Sequence, residues 1–130
     1  MTGFTIKATK IFTFDAAHFL VGHKGKCAST HGHTYRLEVT VSRKKQAAIA
    51  GGSSDSMVID FTDLKKIVHE EIIDQVDHKM LNDVYDFRTT SENLAVHFFR
   101  VLTGRLDLLD IQVERIKLWE SASSYVEVET

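Results

Sequence analysis

An α+β fold, an antiparallel four-stranded sheet covered on one face by two helices, is predicted by three features of the 130-residue sequence. Two stretches with period-two alternation open the chain, two helical stretches follow, and two strand-like stretches close it. The helices therefore fall between strands two and three. Such a sheet leaves its other face and its edges needing cover, and oligomerisation is one way to supply it.

The first strand spans Thr5 to His18. Ile6, Ala8, Phe12, Phe14, Ala16 and His18 share one parity, interrupted by Lys10. Gly22 and Gly25 mark a loop through Val21–Cys27. The second strand sets His31, His33, Tyr35, Leu37, Val39 and Val41 on one face, with Thr34, Arg36, Glu38 and Thr40 on the other. A basic run and Gly51-Gly52-Ser53-Ser54 make residues 43–56 a flexible loop. Asp60 can cap a helix that buries Phe61, Leu64, Ile67, Val68, Ile72 and Val76 at three- and four-residue spacing. The T-x-x-E pattern of Thr89–Glu92 predicts the start of a second helix, which runs through Leu94, Phe98, Val101 and Leu102 and can end at Gly104. Ile111 to Glu120 reads as a third strand, and a parity slip between Val113 and Ile116 predicts a bulge. Tyr125 to Glu129 is a short final strand.

Length and composition suit one domain over residues 1–130, with 43% hydrophobic residues and no repeats or linker. Sixteen basic against eighteen acidic residues give a net charge of -2, which argues against nucleic-acid or anionic-membrane partners. No stretch approaches the length of a transmembrane helix, and no apolar signal block opens the chain. Cys27 is the only cysteine, so an intrachain disulfide is impossible. A cytoplasmic protein is the expectation.

His31 and His33 point the same way on a strand, so both can reach one ion. Gly32 between them leaves the backbone free to bend and removes a side chain from the opposite face. His18 ends the neighbouring strand with the parity of Phe14. If the strands pair, three imidazoles converge, and three neutral nitrogens with an open fourth position suit catalytic Zn2+. The bland alternative is a set of hydrogen-bonded histidines near a loop, and His23, His69 and His97 read that way. Cys27, four residues before His31, can be a fourth ligand, a thiol beside the metal, or an inert buried thiol. A cupin-type site using Glu38 is disfavoured, because Glu38 faces away from both histidines and two mid-chain helices interrupt the strands.

Six blocks carry a resemblance that spans nearly the whole chain. Phe14-Asp-Ala-Ala-His18, Cys27-Ala-Ser-Thr-His31-Gly-His33, Met57-Val-Ile-Asp-Phe61, Asp77-His78-Lys-Met-Leu-Asn82-Asp83, Thr90-Ser-Glu-Asn93 and Leu118-Trp-Glu120 occur in the order seen in the 6-pyruvoyl- and 6-carboxy-tetrahydropterin synthases. The resemblance implies a tunnelling fold assembled into a trimeric or hexameric barrel, with active sites at subunit interfaces. It implies zinc on His18, His31 and His33, Cys27 as the catalytic thiol partnered by Asp77 and His78, and Glu120 and Thr90 as pterin contacts. The chemistry is coherent. A carboxylate accepts the paired N–H donors of a pterin, zinc acidifies side-chain hydroxyls, and His78 oriented by Asp77 relays a proton.

The short Cys27–His31 interval resembles the carboxy-tetrahydropterin synthases of the queuosine pathway. It implies conversion of 7,8-dihydroneopterin triphosphate to 6-carboxytetrahydropterin, acetaldehyde and triphosphate. A pyruvoyl product, or zinc and pterin binding without turnover, are the alternatives. A binding module would need only Glu120, so the presence of Cys27, Asp77 and His78 beside it favours an enzyme. Ser56 where glycine is common, and Arg88-Thr89 lacking the usual proline, depart from the pattern. Neither touches a proposed ligand. Lys24, Lys26 and Arg36 are candidates for the triphosphate by charge alone.

Overall fold

Alternation of apolar and polar side chains builds the sheet that positions every candidate residue. The computed structural model describes residues 3–130; residues 1 and 2, where the expected domain begins, lie outside the described residues. Strand β1 (Ala8–His18) buries Phe12, Phe14, Ala16 and His18 and exposes Ile11, Thr13 and Asp15. Strand β2 (His31–Arg43) buries Tyr35, Leu37, Val39 and Val41 on the same face. The two pair antiparallel from Ala8↔Val41 to His18↔His31. That register follows from their matching parities, because a one-residue slip would turn every apolar side chain outward.

Helix α1 (residues 61–76) starts at Asp60, whose carboxylate accepts the Thr62 N–H at 2.8 Å. A π-helical turn, His69–Ile73, interrupts it before the closing turn Asp74–Val76. Strand β3 (Lys79–Met80) then pairs parallel with Ala16 and Ala17 of β1. Helix α2 (Ser91–Asp107) follows a single helical turn, Leu81–Val84. Strands β4 (Ile111–Ser121) and β5 (Ser124–Glu129) complete a sheet of order β3-β1-β2-β4-β5. Leu64, Ile67, Val68, Ile72 and Val76 of α1 pack with Leu94, Phe98, Leu102 and Leu106 of α2 onto one sheet face. Each such burial stabilises the fold by about 1.5–3 kcal/mol.

Several sequence expectations change. The sheet has five strands and is mixed, because a two-residue parallel strand precedes α2. Phe61 is half exposed instead of buried: it is the first residue of the helix, whose buried face begins at Leu64, and Lys10 Nζ stands 5.9 Å from its ring. Thr90, not Thr89, caps α2 by accepting the Asn93 N–H at 3.1 Å. Thr89 is fully buried instead. Gly104 lies inside α2, which continues to Asp107. The bulge falls where parity slips: Thr40 pairs with Arg115 and Val41 with Val113, leaving Glu114 extra. Among the described residues no helix is long and apolar enough to cross a membrane.

Candidate metal centre and active site

The register sets the site out in rows on the helix-covered face. Phe14 lies opposite Tyr35, Ala16 opposite His33, and His18 opposite His31. On the other side of β2, Arg36 pairs with Trp119, so one step further places Glu120 beside Tyr35. The β4–β5 register slips between Trp119 and Ser121, and Glu120 stands at that irregularity. Apolar rows thus give way to imidazoles and a carboxylate at the open end of the sheet.

The three imidazoles face one another edge to face, with centroids 4.6 Å (His18–His31), 4.9 Å (His31–His33) and 5.3 Å (His18–His33) apart. One nitrogen from each lies within 4.8 Å of the others. His18 Nδ1 donates to the Thr89 carbonyl at 2.8 Å, and His31 Nδ1 donates to the Ser29 carbonyl at 2.7 Å. A carbonyl only accepts, so the proton sits on Nδ1 in both rings and Nε2 keeps a free lone pair. Such backbone partners orient metal-ligating histidines.

His18 Nε2 and His33 Nε2 are buried without a hydrogen-bond partner. Burial holds both pKa values below the ordinary imidazole value, which keeps the rings neutral near pH 7. Three imidazole nitrogens, two of them buried and unpaired, fit a zinc ion with an open coordination position. Cys27 Sγ does not join the three nitrogens within that 4.8 Å cluster, so a closed thiolate-and-imidazole site is not assembled.

Glu120 reaches this centre from β4. Its Oε1 lies 3.6 Å from His33 Nε2, and its Oε2 accepts the Ser91 hydroxyl at 2.6 Å. Ser91 is the first residue of α2, so the carboxylate also sits at the positive end of a 17-residue helix. A hollow of about 230 Å³ opens here, lined by Leu20, Thr90, Ser91, Glu120 and Tyr125 among others. The candidate pterin contacts Glu120 and Thr90 therefore share one hollow beside the imidazoles. Sequence reasoning missed Ser91, although its place beside the capping Thr90 was a usable signal.

Asp77 and His78 form a separate cluster at the edge of β1. Asp77 Oδ1 accepts from His78 Nδ1 at 3.0 Å and from the Asp15 N–H at 3.0 Å. Those donors, led by the Asp15 N–H, hold its pKa below the usual carboxylate value. The His78 N–H donates to the Asp15 carbonyl at 2.6 Å, with His78 at φ 60°. A cleft of about 530 Å³ runs from Asp15 and His78 past Gly32 and Thr34 to His33. Asp15 was missed as well, since its backbone contacts leave no sequence pattern.

Cys27 sits in the short 3-10 turn Lys26–Ala28, tied by Leu20 N–H donating to its carbonyl at 2.7 Å. Of the triphosphate candidates, Arg36 lies on the opposite sheet face, 3.4 Å from Glu38 and over the Trp119 ring. Glu38 accepts the Trp119 indole N–H there at 2.6 Å, so it faces away from the histidines as expected.

Residues 7–130 match the family described as 6-pyruvoyl tetrahydropterin synthase. A 6-carboxy-5,6,7,8-tetrahydropterin synthase from Haemophilus influenzae is 37% identical, the match covering 93% of this chain and 96% of the relative. A 6-pyruvoyl tetrahydrobiopterin synthase from Dictyostelium discoideum is 32% identical over 94% of each chain. The structure of Caenorhabditis elegans 6-pyruvoyl tetrahydropterin synthase superposes with a TM-score of 0.78 at 24% identity, covering 96% of this chain and 95% of that one, which shows the shared fold.

Proposed function

The chain belongs to the 6-pyruvoyl tetrahydropterin synthase family, and on that premise we propose that it is a zinc-dependent 6-carboxy-5,6,7,8-tetrahydropterin synthase. Its substrates are 7,8-dihydroneopterin triphosphate and one water, and its products are 6-carboxytetrahydropterin, acetaldehyde and triphosphate. The observation that carries the reading is the convergence of three imidazole nitrogens within 4.8 Å of one another, with the Glu120 carboxylate 3.6 Å from His33 Nε2. Relatives bearing that name at 28–38% identity, and the short Cys27–His31 spacing, support this product. The Dictyostelium relative favours a second reading in which triphosphate leaves to give a pyruvoyl product.

Zinc bound by His18, His31 and His33 would supply Lewis acidity to hydroxyl oxygens of the substrate side chain. Glu120 accepts the exocyclic amine and the adjoining ring N–H as a pair, with Ser91 holding one oxygen in place. Cys27 removes a proton near the ring carbon that bears the side chain. Asp77 fixes the His78 proton on Nδ1, so Nε2 is free to accept or deliver one.

Cys27 belongs neither to the imidazole cluster nor to the Asp15–Asp77–His78 cluster, which supports completion of each site by a neighbouring subunit in a trimer or hexamer. Residues 1–130 then act as one domain per subunit. Mass spectrometry of the products formed by zinc-loaded protein from 7,8-dihydroneopterin triphosphate tests the reading. Carboxytetrahydropterin with acetaldehyde is the expected result. A pyruvoyl product would assign the second reading, and unaltered substrate would overturn both.

A further inference from the structure

Three buried side-chain polar atoms without a partner among the described residues cluster together: His18 Nε2, His33 Nε2 and the Tyr35 hydroxyl. The two nitrogens are the lone pairs a metal would use. The phenol has no such account. Its ring is fully buried, stacked on Phe14 at 4.8 Å and 10°, a packing role that phenylalanine fills without burying an unpaired hydroxyl.

The position of Tyr35 explains the oxygen. Tyr35 lies between Phe14 and the Glu120 position in its row, with its ring 5.5 Å from His33 and 6.4 Å from His18. The Tyr35 ring thus stands between the Glu120 anchor and the imidazoles, the two groups that a bound pterin would have to reach together. A phenol carries an O–H that can donate as well as accept, so the unpartnered group can serve as a donor. A pterin ring carries acceptor nitrogens beside the N–H donors that a carboxylate takes.

We propose that Tyr35 is a ligand-binding residue of this site, its hydroxyl donating a hydrogen bond to an acceptor atom of the bound pterin ring. Glu120 then reads the donors of the ring and Tyr35 reads an acceptor. This rests on the pterin reading of the site.

Tyr35→Phe removes the oxygen and keeps the stack. Neopterin, which carries the hydroxylated side chain without the triphosphate, is titrated by fluorescence into zinc-loaded wild type and variant. Zinc affinity is measured by competition with a chromophoric chelator, and thermal midpoints are taken without metal. The expected result is neopterin binding weakened about five- to tenfold, the loss of one hydrogen bond. Zinc affinity stays within twofold, and the metal-free midpoint does not fall.

Neopterin affinity within twofold of wild type overturns the inference. So does a lowered metal-free midpoint, which would show that the hydroxyl already has a partner. Zinc affinity weakened as much as neopterin affinity would move the effect to the metal and overturn the contact. Wild type that binds no neopterin overturns the pterin reading itself, and the inference with it.

Discussion

Ser91→Ala deletes one oxygen, the donor to Glu120 Oε2 at 2.6 Å. A hydrogen bond from a neutral donor to an ionised acceptor contributes about 1.5–3 kcal/mol when shielded from water. The Glu120 side chain is 34% exposed, so water replaces part of the loss and about 1 kcal/mol remains. Ordering a freed side chain on binding costs roughly 0.5–1.5 kcal/mol, the same range. At 1.4 kcal/mol per tenfold, neopterin binding to the zinc-loaded variant should weaken about fivefold.

The same substitution in a Glu120→Gln background should have little further effect, because Ser91 acts through the carboxylate. Ser91→Thr should restore most of the affinity. Equal losses in both backgrounds, or an affinity within twofold of wild type, would refute the reasoning that Ser91 holds the anchor.

Cys27→Ala should lower turnover by roughly a hundredfold to ten-thousandfold while zinc content is unchanged; retained turnover would remove the thiol from the reaction. Thr90→Ala removes the cap of α2 and should cost about 1 kcal/mol. Its thermal midpoint should fall by roughly 4 °C, with Thr90→Ser near wild type. Asp77 has a folded pKa below its unfolded value of about 3.9, so its stabilisation is present above that pH and disappears as pH falls through the folded value. The gap in urea midpoint between wild type and Asp77→Asn should therefore narrow as pH falls below about 4, and a gap that stays constant or widens from about pH 5 to about pH 3 would contradict this assignment.

The features legible in the sequence were those that repeat with a strand or helix period. His18, His31 and His33 were legible because period two carries the parity of Phe14 and Tyr35 to the ends of two paired strands. The Glu114 bulge was legible as a slip in the same parity. The parallel strand Lys79–Met80 was not, since two residues carry no periodicity, and its pairing with β1 is set by tertiary packing. The doublet Thr89-Thr90 left the cap ambiguous by one residue, and the structure gives Thr89 to the core and its carbonyl to His18. The π-helical turn His69–Ile73 seats Glu70 and Glu71 together on Arg105, at 3.1 and 2.9 Å, and no local pattern announces it. Ser91 with Glu120 joins residues 29 apart, a contact that only the assembled fold creates.

The central claim is an open zinc site of three imidazoles with the Cys27 thiol unligated. X-ray absorption at the zinc edge of the loaded protein tests it directly. The account predicts nitrogen and oxygen scatterers at about 2.0–2.1 Å and no sulfur. A sulfur scatterer at about 2.3 Å would contradict it, closing the site with Cys27 and removing the thiol as base.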